Sequence, residues 1–327
     1  GLETDLKLFL KYVRPATLVA IGGVIVPFGL GAGVMVILGF ADGMIDLRAL
    51  FIGAVLTATS IGISVRVLGD IGKLVTPEGV TILGAAVVDD VLGILVLTIV
   101  LSLGGEGDGF AMSDIGFMAA KTLGFWIAFT AIGIMLSRYI SSILSSFRVS
   151  GATLGLALSL AFLSAGLAES FGLAMIIGAF SIGLALSGTD VAQRIHEPLM
   201  AVYHVLVPIF FVVTGMLVDV TALGGVLVLG TAITAVAVIG KVLGCGLPAL
   251  FAGFNRSGSW RIGVGMLPRG EVALVMAGMG ISSGIVGTDL YSVVILMTVV
   301  TTAAAPPLLV MSFKNESTGL RGAPEGL

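Results

Sequence analysis

Long apolar stretches separated by short polar segments recur along the whole chain, and they restrict the folds open to it. A run of about 20 apolar residues is long enough to cross a bilayer as a helix. Only 11% of the residues are charged, whereas soluble proteins carry roughly 25%. A membrane barrel would instead show short segments of alternating hydrophobicity. The sequence therefore predicts an all-α polytopic membrane protein.

The charge distribution favours about ten spans, because it separates basic from acidic connections. The spans are expected near residues 16–39, 48–69, 79–103, 115–138, 151–169, 171–188, 199–218, 223–251, 258–283 and 290–312. One set of connections then holds most cations, namely Lys7, Lys11, Arg14, Arg66, Lys73, Arg138, Arg148, Arg194, Arg256, Arg261 and Lys314. The other holds mainly Asp42, Asp46, Glu106, Asp108, Asp114, Glu169, Asp219 and Asp289. Under the positive-inside rule, both ends of the chain are cytoplasmic in the plasma (inner) membrane.

The domain prediction is one membrane domain over residues 1–313, followed by a short tail. Core helices are expected at about 16–103 and 223–312, with intervening helices at 115–218. The tail, residues 314–327, is polar and rich in small residues, so we expect it to be disordered in the cytoplasm. The chain starts without methionine, as if within a helix, so we also expect further helices upstream.

Several functional classes lack their sequence signals here. The chain has no P-loop, no dinucleotide-binding glycine fingerprint and no Cys/His cluster. Their absence argues against an ATP-driven pump, a redox enzyme and a zinc site. We expect a transporter that runs on ion gradients, with no cofactor and no nucleic acid partner.

Two adjacent carboxylates, Asp89 and Asp90, lie near the middle of the third apolar stretch. One ionisable side chain at the bilayer centre costs at least about 2.5 kcal/mol, so packing alone would not favour two. On a helix, adjacent side chains point about 100° apart, so one can face water while the other faces a neighbouring helix. The pair indicates ion or proton handling; the alternative is an ion-paired helix staple.

Lys241 lies deep in the long eighth span and requires a counter-charge. Asp89 or Asp90 is the natural partner. The alternative is that the lysine stem extends to the membrane interface.

The ninth span contains an opposite-charge pair, Arg269 and Glu271, next to Pro268 and Gly270. Proline and glycine at membrane depth predict an interrupted helix. The dipoles of two half-helices need compensating charges, and the pair could supply them. We favour this structural role over direct contact with an ion.

The second span holds a hydroxyl cluster at Thr57, Thr59 and Ser60. Hydroxyls can satisfy the backbone of an unwound turn. Interruptions at matching places in two halves of a transporter indicate an ion site between inverted repeats. Spans one to three and eight to ten would form those repeats.

The segments GLET, LTATSIGISVRVL, ILGAAVVDDVLGILVL and LPRGEVALV, together with Lys241, resemble the monovalent cation:proton antiporters, most closely the NapA-type Na+/H+ antiporters. The resemblance runs over nearly the whole chain. It implies a homodimer whose core contains two crossed, broken helices, here the second and ninth spans. It also implies that two or three N-terminal family helices are absent from this sequence.

The resemblance also implies roles for single residues. Asp90 would be the main carrier of the monovalent cation and the proton, and Asp89 would pair with Lys241. Thr59 and Ser60 would lie beside the cation path. Arg269 and Glu271 match the family's charges near the second crossing. The Asp-Asp form is the pattern associated with electrogenic exchange of two protons for one Na+ or Li+, a reaction that serves pH homeostasis.

Two alternatives remain open from the sequence. A K+/H+ antiporter or K+ efflux protein would share the fold, because ion selectivity depends on cavity size and ligand geometry. An intramembrane aspartyl protease also uses buried carboxylates, but its two aspartates must converge from separate helices. Asp89 and Asp90 follow each other on one helix, which argues against that chemistry.

Overall fold

The computed structural model describes residues 6–74, 76–104, 112–146, 151–171, 175–216, 223–314 and 318–321. Within these residues the regular structure is helical, apart from one isolated β-bridge between Phe254 and Leu320. The twelve helices are α1 (Leu6–Ile37), α2 (Leu47–Val55), α3 (Ile61–Asp70), α4 (Pro77–Gly104), α5 (Met112–Ser146), α6 (Ala152–Ser170), α7 (Met175–Ser187), α8 (Asp190–Met216), α9 (Leu223–Phe251), α10 (Arg256–Gly265), α11 (Glu271–Ser282) and α12 (Thr288–Ser312).

The predicted all-α membrane fold is confirmed. Among the described residues, six helical stretches are long and apolar enough to cross a membrane. They are Arg14–Ile37, Pro77–Leu101, Ile127–Leu144, Ala152–Ser170, Leu227–Phe251 and Thr288–Ser312. The total of about ten spans stays a prediction.

Two of the predicted spans are interrupted, as the sequence indicated. The second span divides into α2 and α3, which are separated by the first break, residues 56–60. The ninth divides into α10 and α11, separated by the second break, residues 266–270. Pro268 lies inside the second break, where the backbone N–H that proline lacks is not needed for a helical hydrogen bond. Both breaks are buried, which is the condition for non-helical backbone at membrane depth.

The chain divides into two compact units. One, the break-bearing unit, contains residues 8–93 and 214–327, and the other contains residues 1–7 and 94–213. The boundary falls inside α4, at residue 93, rather than after residue 103. The functional roles assigned to core and intervening helices stay predictions.

In the break-bearing unit, small residues bring α1 and α9 into close contact. A side chain added at Gly22 would overlap the carbonyl of Gly244, and one added at Gly244 would overlap Gly22. Membrane helices use such small residues to let their backbones approach. The contact places Gly23 of α1 beside Lys241 of α9. Buried apolar residues from α1, α3, α4, α9, α10 and α12 surround it.

In the second unit, α6 and α7 form a tight helix pair. Gly178 of α7 packs directly on the backbone of Ser164. Apolar side chains of α5 to α8, among them Leu144, Ile182 and Val191, form its core. The sequence division between the fifth and sixth spans is therefore present, since α6 ends at Ser170 and α7 begins at Met175.

Part of the polar tail departs from the expected disorder. Asn255 binds it twice, from its backbone N to the Gly319 carbonyl (2.8 Å) and from Nδ2 to the Thr318 carbonyl (2.6 Å). The Arg321 N–H donates to the Gly253 carbonyl at 3.0 Å. Gly319 permits this docking, because a side chain there would overlap the Glu78 carboxylate. Residues 315–317 and 322–327 of the predicted tail lie outside the described part.

Candidate ion-binding site

The two breaks meet inside the break-bearing unit and are joined by hydrogen bonds. The Ser60 N–H donates to the Pro268 carbonyl at 2.8 Å, and Ser64 Oγ donates to the Gly265 carbonyl at 2.5 Å. Thr59 Oγ1 lies 3.4 Å from the Met266 carbonyl, a longer contact. These bonds satisfy backbone groups that the interrupted helices leave without partners.

A buried ion pair lies next to the first break. Lys241 Nζ is 2.7 Å from Asp89 Oδ1, and both side chains are fully buried. The ammonium also donates to the carbonyls of Gly23 (2.9 Å) and Thr57 (2.6 Å). An ammonium has three N–H donors, so Lys241 is fully satisfied. It links α1, α4, α9 and the first break.

The close approach of α1 to this ion pair depends on Gly23. A Cβ at this position would lie 2.5 Å from Cys245 Sγ and 3.4 Å from Lys241 Nζ. Any side chain there would push α1 away and lengthen the bond from Lys241 to the Gly23 carbonyl.

The two adjacent aspartates have different surroundings. Asp89 is fully buried and paired with Lys241, and its carboxylate also interacts with Thr59. Asp90 is only partly buried. The 100° offset between adjacent helical positions accounts for the difference. One carboxylate is thus held by a lysine, while the next residue along the helix is partly exposed.

The hydroxyl cluster lies at the break that α4 contacts. Thr57, Thr59 and Ser60 are each at most 2% exposed. Thr57 Oγ1 donates to the Ala54 carbonyl at 2.7 Å, at the end of α2. Gly93 of α4 faces this hydroxyl, and a Cβ added to the glycine would lie 3.2 Å from Thr57 Oγ1. The break therefore presents hydroxyl and carbonyl oxygens next to the aspartate-bearing helix.

Arg269 carries a second buried positive charge at the breaks. Its side chain is fully buried, and Nη1 donates to the Ala58 carbonyl in the first break. Nη2 is 3.5 Å from the Ala237 carbonyl of α9. A cation at this position offsets the partial negative charge at the C-terminal end of α2. Among the described side chains, no carboxylate forms an ion pair with Arg269.

The structure brings together most of the residues singled out in the sequence. Asp89, Lys241, Thr57, Thr59, Ser60 and Arg269 all lie at or next to the two breaks. Asp90 follows Asp89 on α4. Glu271 begins α11, but its side chain lies outside the described part. The transport roles assigned to these residues stay predictions.

Sequence reasoning missed several residues that hold the site together. Thr302 of α12 donates its hydroxyl to the Arg269 carbonyl. Ser64 and Gly23 have the contacts described above. An Arg261–Glu78 ion pair, 2.7 Å between Nη1 and Oε1, is almost fully buried between α10 and α4. Glu78 and Arg261 can be recognised in the sequence as charges near the ends of spans, but nothing in the sequence marks them as partners.

The arrangement fits the chemistry of a small hard cation. A carboxylate, hydroxyls and backbone carbonyls supply oxygen ligands, which alkali cations prefer to nitrogen or sulfur. Among the described residues, no group of three or more His, Cys, Asp or Glu side chains could form a transition-metal centre. The protease alternative gains no support, because Asp89 is engaged by Lys241 and its neighbour lies on the same helix.

This chain is similar in sequence to known proteins over most of its length. Residues 1–313 match the family model described as sodium/hydrogen exchanger, transmembrane. The Na(+)/H(+)-K(+) antiporter GerN of Bacillus cereus is 36% identical over 324 residues, which cover 99% of this chain and 82% of GerN. The high-affinity Na(+)/H(+) antiporter NhaS3 of Synechocystis is 37% identical over 91% of this chain and 64% of its own length. A Na(+)/H(+) antiporter of Enterococcus hirae is 32% identical over 91% of this chain and 76% of its own.

Proposed function

The chain belongs to the sodium/hydrogen exchanger family, and we propose that it exchanges Na+ or Li+ for protons, with Asp90 as the carboxylate that carries both. A member of this family is a transporter and not an enzyme. Beyond family membership, we propose different roles for the two adjacent aspartates: Asp89 pairs with Lys241, and Asp90 binds the transported ions.

The observation that carries the proposal is the unequal environment of Asp89 and Asp90. Lys241 neutralises Asp89 inside the protein, so that carboxylate already has its cation. Asp90 is partly exposed and directly follows Asp89 on α4. A transported ion must be able to reach its ligand and leave it again, which favours Asp90 over Asp89.

Exchange follows from competition for one carboxylate. The ionised Asp90 would bind a cation together with oxygens of the first break, where Thr59 and Ser60 are the proposed contributors. Protonation of Asp90 removes the negative charge that the cation needs, so proton binding releases it. Alternating exposure of the site to the two sides of the membrane then couples the two gradients.

The further assignments rest on charge placement and on the resemblance to NapA-type antiporters. Segregation of basic connections supports an orientation with both ends of this chain in the cytoplasm, and the membrane we propose is the plasma membrane. The resemblance supports a homodimer embedded in the lipid bilayer. Neither assignment depends on which cation is carried.

A K+/H+ antiporter is the second candidate. GerN, at 36% identity, is named as an antiporter of Na+, H+ and K+. Selectivity between Na+ and K+ depends on ligand spacing, so a relative that handles both makes potassium a real alternative.

The test is proton flux in sealed vesicles that contain the full chain. With an acidic interior, we expect added Na+ or Li+ to raise the internal pH in the wild type and to have no effect in Asp90→Asn. A response to K+ alone would replace sodium by potassium as the substrate. No response to any cation, or an unchanged Na+ response in the variant, would refute the proposed function.

A further inference from the structure

A cleft outside the candidate ion site opens where two membrane spans end. It has a volume of about 340 Å³ and is lined by Arg14, Pro15 and Leu18 of α1 and by Phe251, Ala252 and Gly253 after α9. In the sequence the first long apolar stretch follows Arg14, and the apolar span in α9 finishes at Phe251. The cleft therefore lies at the boundary between the hydrocarbon core and the headgroups.

The cleft combines a positive charge with exposed apolar side chains. Arg14 is exposed, and among the described side chains no carboxylate pairs with it. Phe251 is 86% exposed and Leu18 is 42% exposed. A cation above an apolar surface at this depth matches a lipid whose headgroup is anionic and whose chains run along the protein.

Arg321 brings a second positive charge to the side of the cleft that Gly253 lines. The Arg321 N–H donates to the carbonyl of Gly253, so the docked tail segment brings an exposed arginine next to the cleft. Arg256 is also exposed at the start of α10, three residues after Gly253. Exposed Trp260 follows one turn later, in keeping with the enrichment of tryptophan at membrane interfaces.

We propose that this cleft between Arg14 and Gly253 binds an anionic phospholipid, with the phosphate next to Arg14 and the acyl chains over Leu18 and Phe251. The charge excludes preference for a zwitterionic lipid, since nothing anionic lines the described cleft to receive a choline group. This site is separate from the breaks and is independent of which ions the protein carries.

The experiment is native mass spectrometry of the full chain in detergent, titrated with phosphatidylglycerol or phosphatidylcholine. We expect one molecule of phosphatidylglycerol to bind with clear preference over phosphatidylcholine. Arg14→Gln should weaken that binding about fivefold, the effect of one basic residue at a charged membrane surface. Arg14→Lys keeps the charge and should retain most of the affinity.

Two further variants test whether lipid binding depends on the cleft itself rather than on the overall charge of the protein. Ala252→Phe fills the cleft without changing the charge, and we expect it also to remove the preferred binding. Arg138→Gln removes an exposed arginine of α5 that does not line the cleft, and this variant should bind like the wild type. The proposal is overturned if the wild type shows no preference for phosphatidylglycerol, if Arg14→Gln or Ala252→Phe binds it like the wild type, or if Arg138→Gln loses it equally. The assay measures lipid binding and not transport, so its result tests the lipid site independently of the proposed antiport.

Discussion

The buried Lys241 ammonium has each of its three donors engaged, by Asp89 and by the carbonyls of Gly23 and Thr57. Two desolvated charges are held in place by this geometry. A buried pair of this kind often adds little net stability, but the loss of one partner leaves an uncompensated charge. We therefore expect a substitution of one partner to destabilise the protein more than a substitution of both partners.

Lys241→Met should destabilise the protein by about 3–5 kcal/mol, because Asp89 would keep a buried charge without its cation. The double variant Asp89→Leu/Lys241→Met should recover a large part of that loss. Thermal unfolding in detergent, followed by intrinsic fluorescence, measures both. The account would be contradicted if Lys241→Met were as stable as the wild type. It would also be contradicted if the stability lost by the double variant equalled the sum of the losses in Asp89→Leu and Lys241→Met.

That Lys241 pairs with Asp89 or Asp90 could be predicted from the sequence, because a buried lysine requires a nearby anion and the chain offers few at that depth. The choice of Asp89 came from the family resemblance. The carbonyl partners could not be predicted. Every residue has a carbonyl, so the choice of Gly23, Thr57, Ala58 and Ala237 depends on which backbone segments the fold brings within reach. Thr302 and Ser64 were missed for the same reason, since hydroxyls are common in membrane helices and most of them bond within their own helix.

The two breaks are held by side chains from neighbouring helices as well as by each other. Thr302 of α12 donates to the Arg269 carbonyl in the second break. The residue before it, Thr301, instead donates to the Met297 carbonyl of its own helix at 2.8 Å. The two threonines therefore offer a matched comparison between a bond that holds the break and one that does not.

Thr302→Val should leave a break carbonyl without its donor and destabilise residues 266–270 by about 1 kcal/mol. Hydrogen exchange of the amides in this segment should accelerate by roughly fivefold. Thr301→Val removes a hydroxyl of the same size from the same helix and should leave the second break unchanged. Equal exchange in the two variants would show that Thr302 does not hold the break.

The tail segment 318–321 is held by backbone bonds to residues 253 and 255, with Gly319 against Glu78. Glu78 is also the partner of Arg261, whose Nε donates to the Ser312 carbonyl at 3.2 Å. The segment thus joins the start of α4, the start of α10 and the end of α12 within one unit.

Gly319→Ala should displace the tail segment, because the new Cβ would overlap the Glu78 carboxylate. We expect exchange of the Asn255 amide to accelerate about tenfold, through loss of its bond to the Gly319 carbonyl. Gly124→Ala, where a Cβ meets open space, is the control. An unchanged Asn255 amide in Gly319→Ala would show that the docking does not depend on the glycine.

Helices and breaks were predictable to different degrees. The apolar runs located the helices, and Pro268, Gly270 and the hydroxyl cluster indicated both interruptions. The docked segment was not predictable, because a short polar tail with three glycines has the composition of a disordered segment. Its docking depends on a complementary surface formed by Glu78, Asn255 and Gly258, which lie far from the tail in the sequence.

Among the described residues around the two breaks, two fully buried cations, Lys241 and Arg269, lie close to one fully buried anion, Asp89. The buried Arg261–Glu78 pair of the same unit is balanced within itself. The excess of cations at the breaks favours a further negative charge nearby, and Asp90 is the partly exposed carboxylate next in the chain. Sequence alone identified Lys241, Arg269, Asp89 and Asp90 as charges at membrane depth. The resemblance assigned different roles to the two aspartates, and the structure shows that Lys241 engages Asp89. The role of Asp90 as the carboxylate for a transported cation stays our proposal.

The most direct test of this division is proton release when Na+ is added to the purified full chain in weakly buffered detergent solution. At a pH where Asp90 is partly protonated, we expect NaCl, but not choline chloride, to release protons from the wild type. Asp289→Asn, which removes an exposed acid at the start of α12, should behave like the wild type. Asp90→Asn should release none. Proton release from Asp90→Asn equal to that of the wild type would contradict the claim that Na+ and protons compete for this carboxylate.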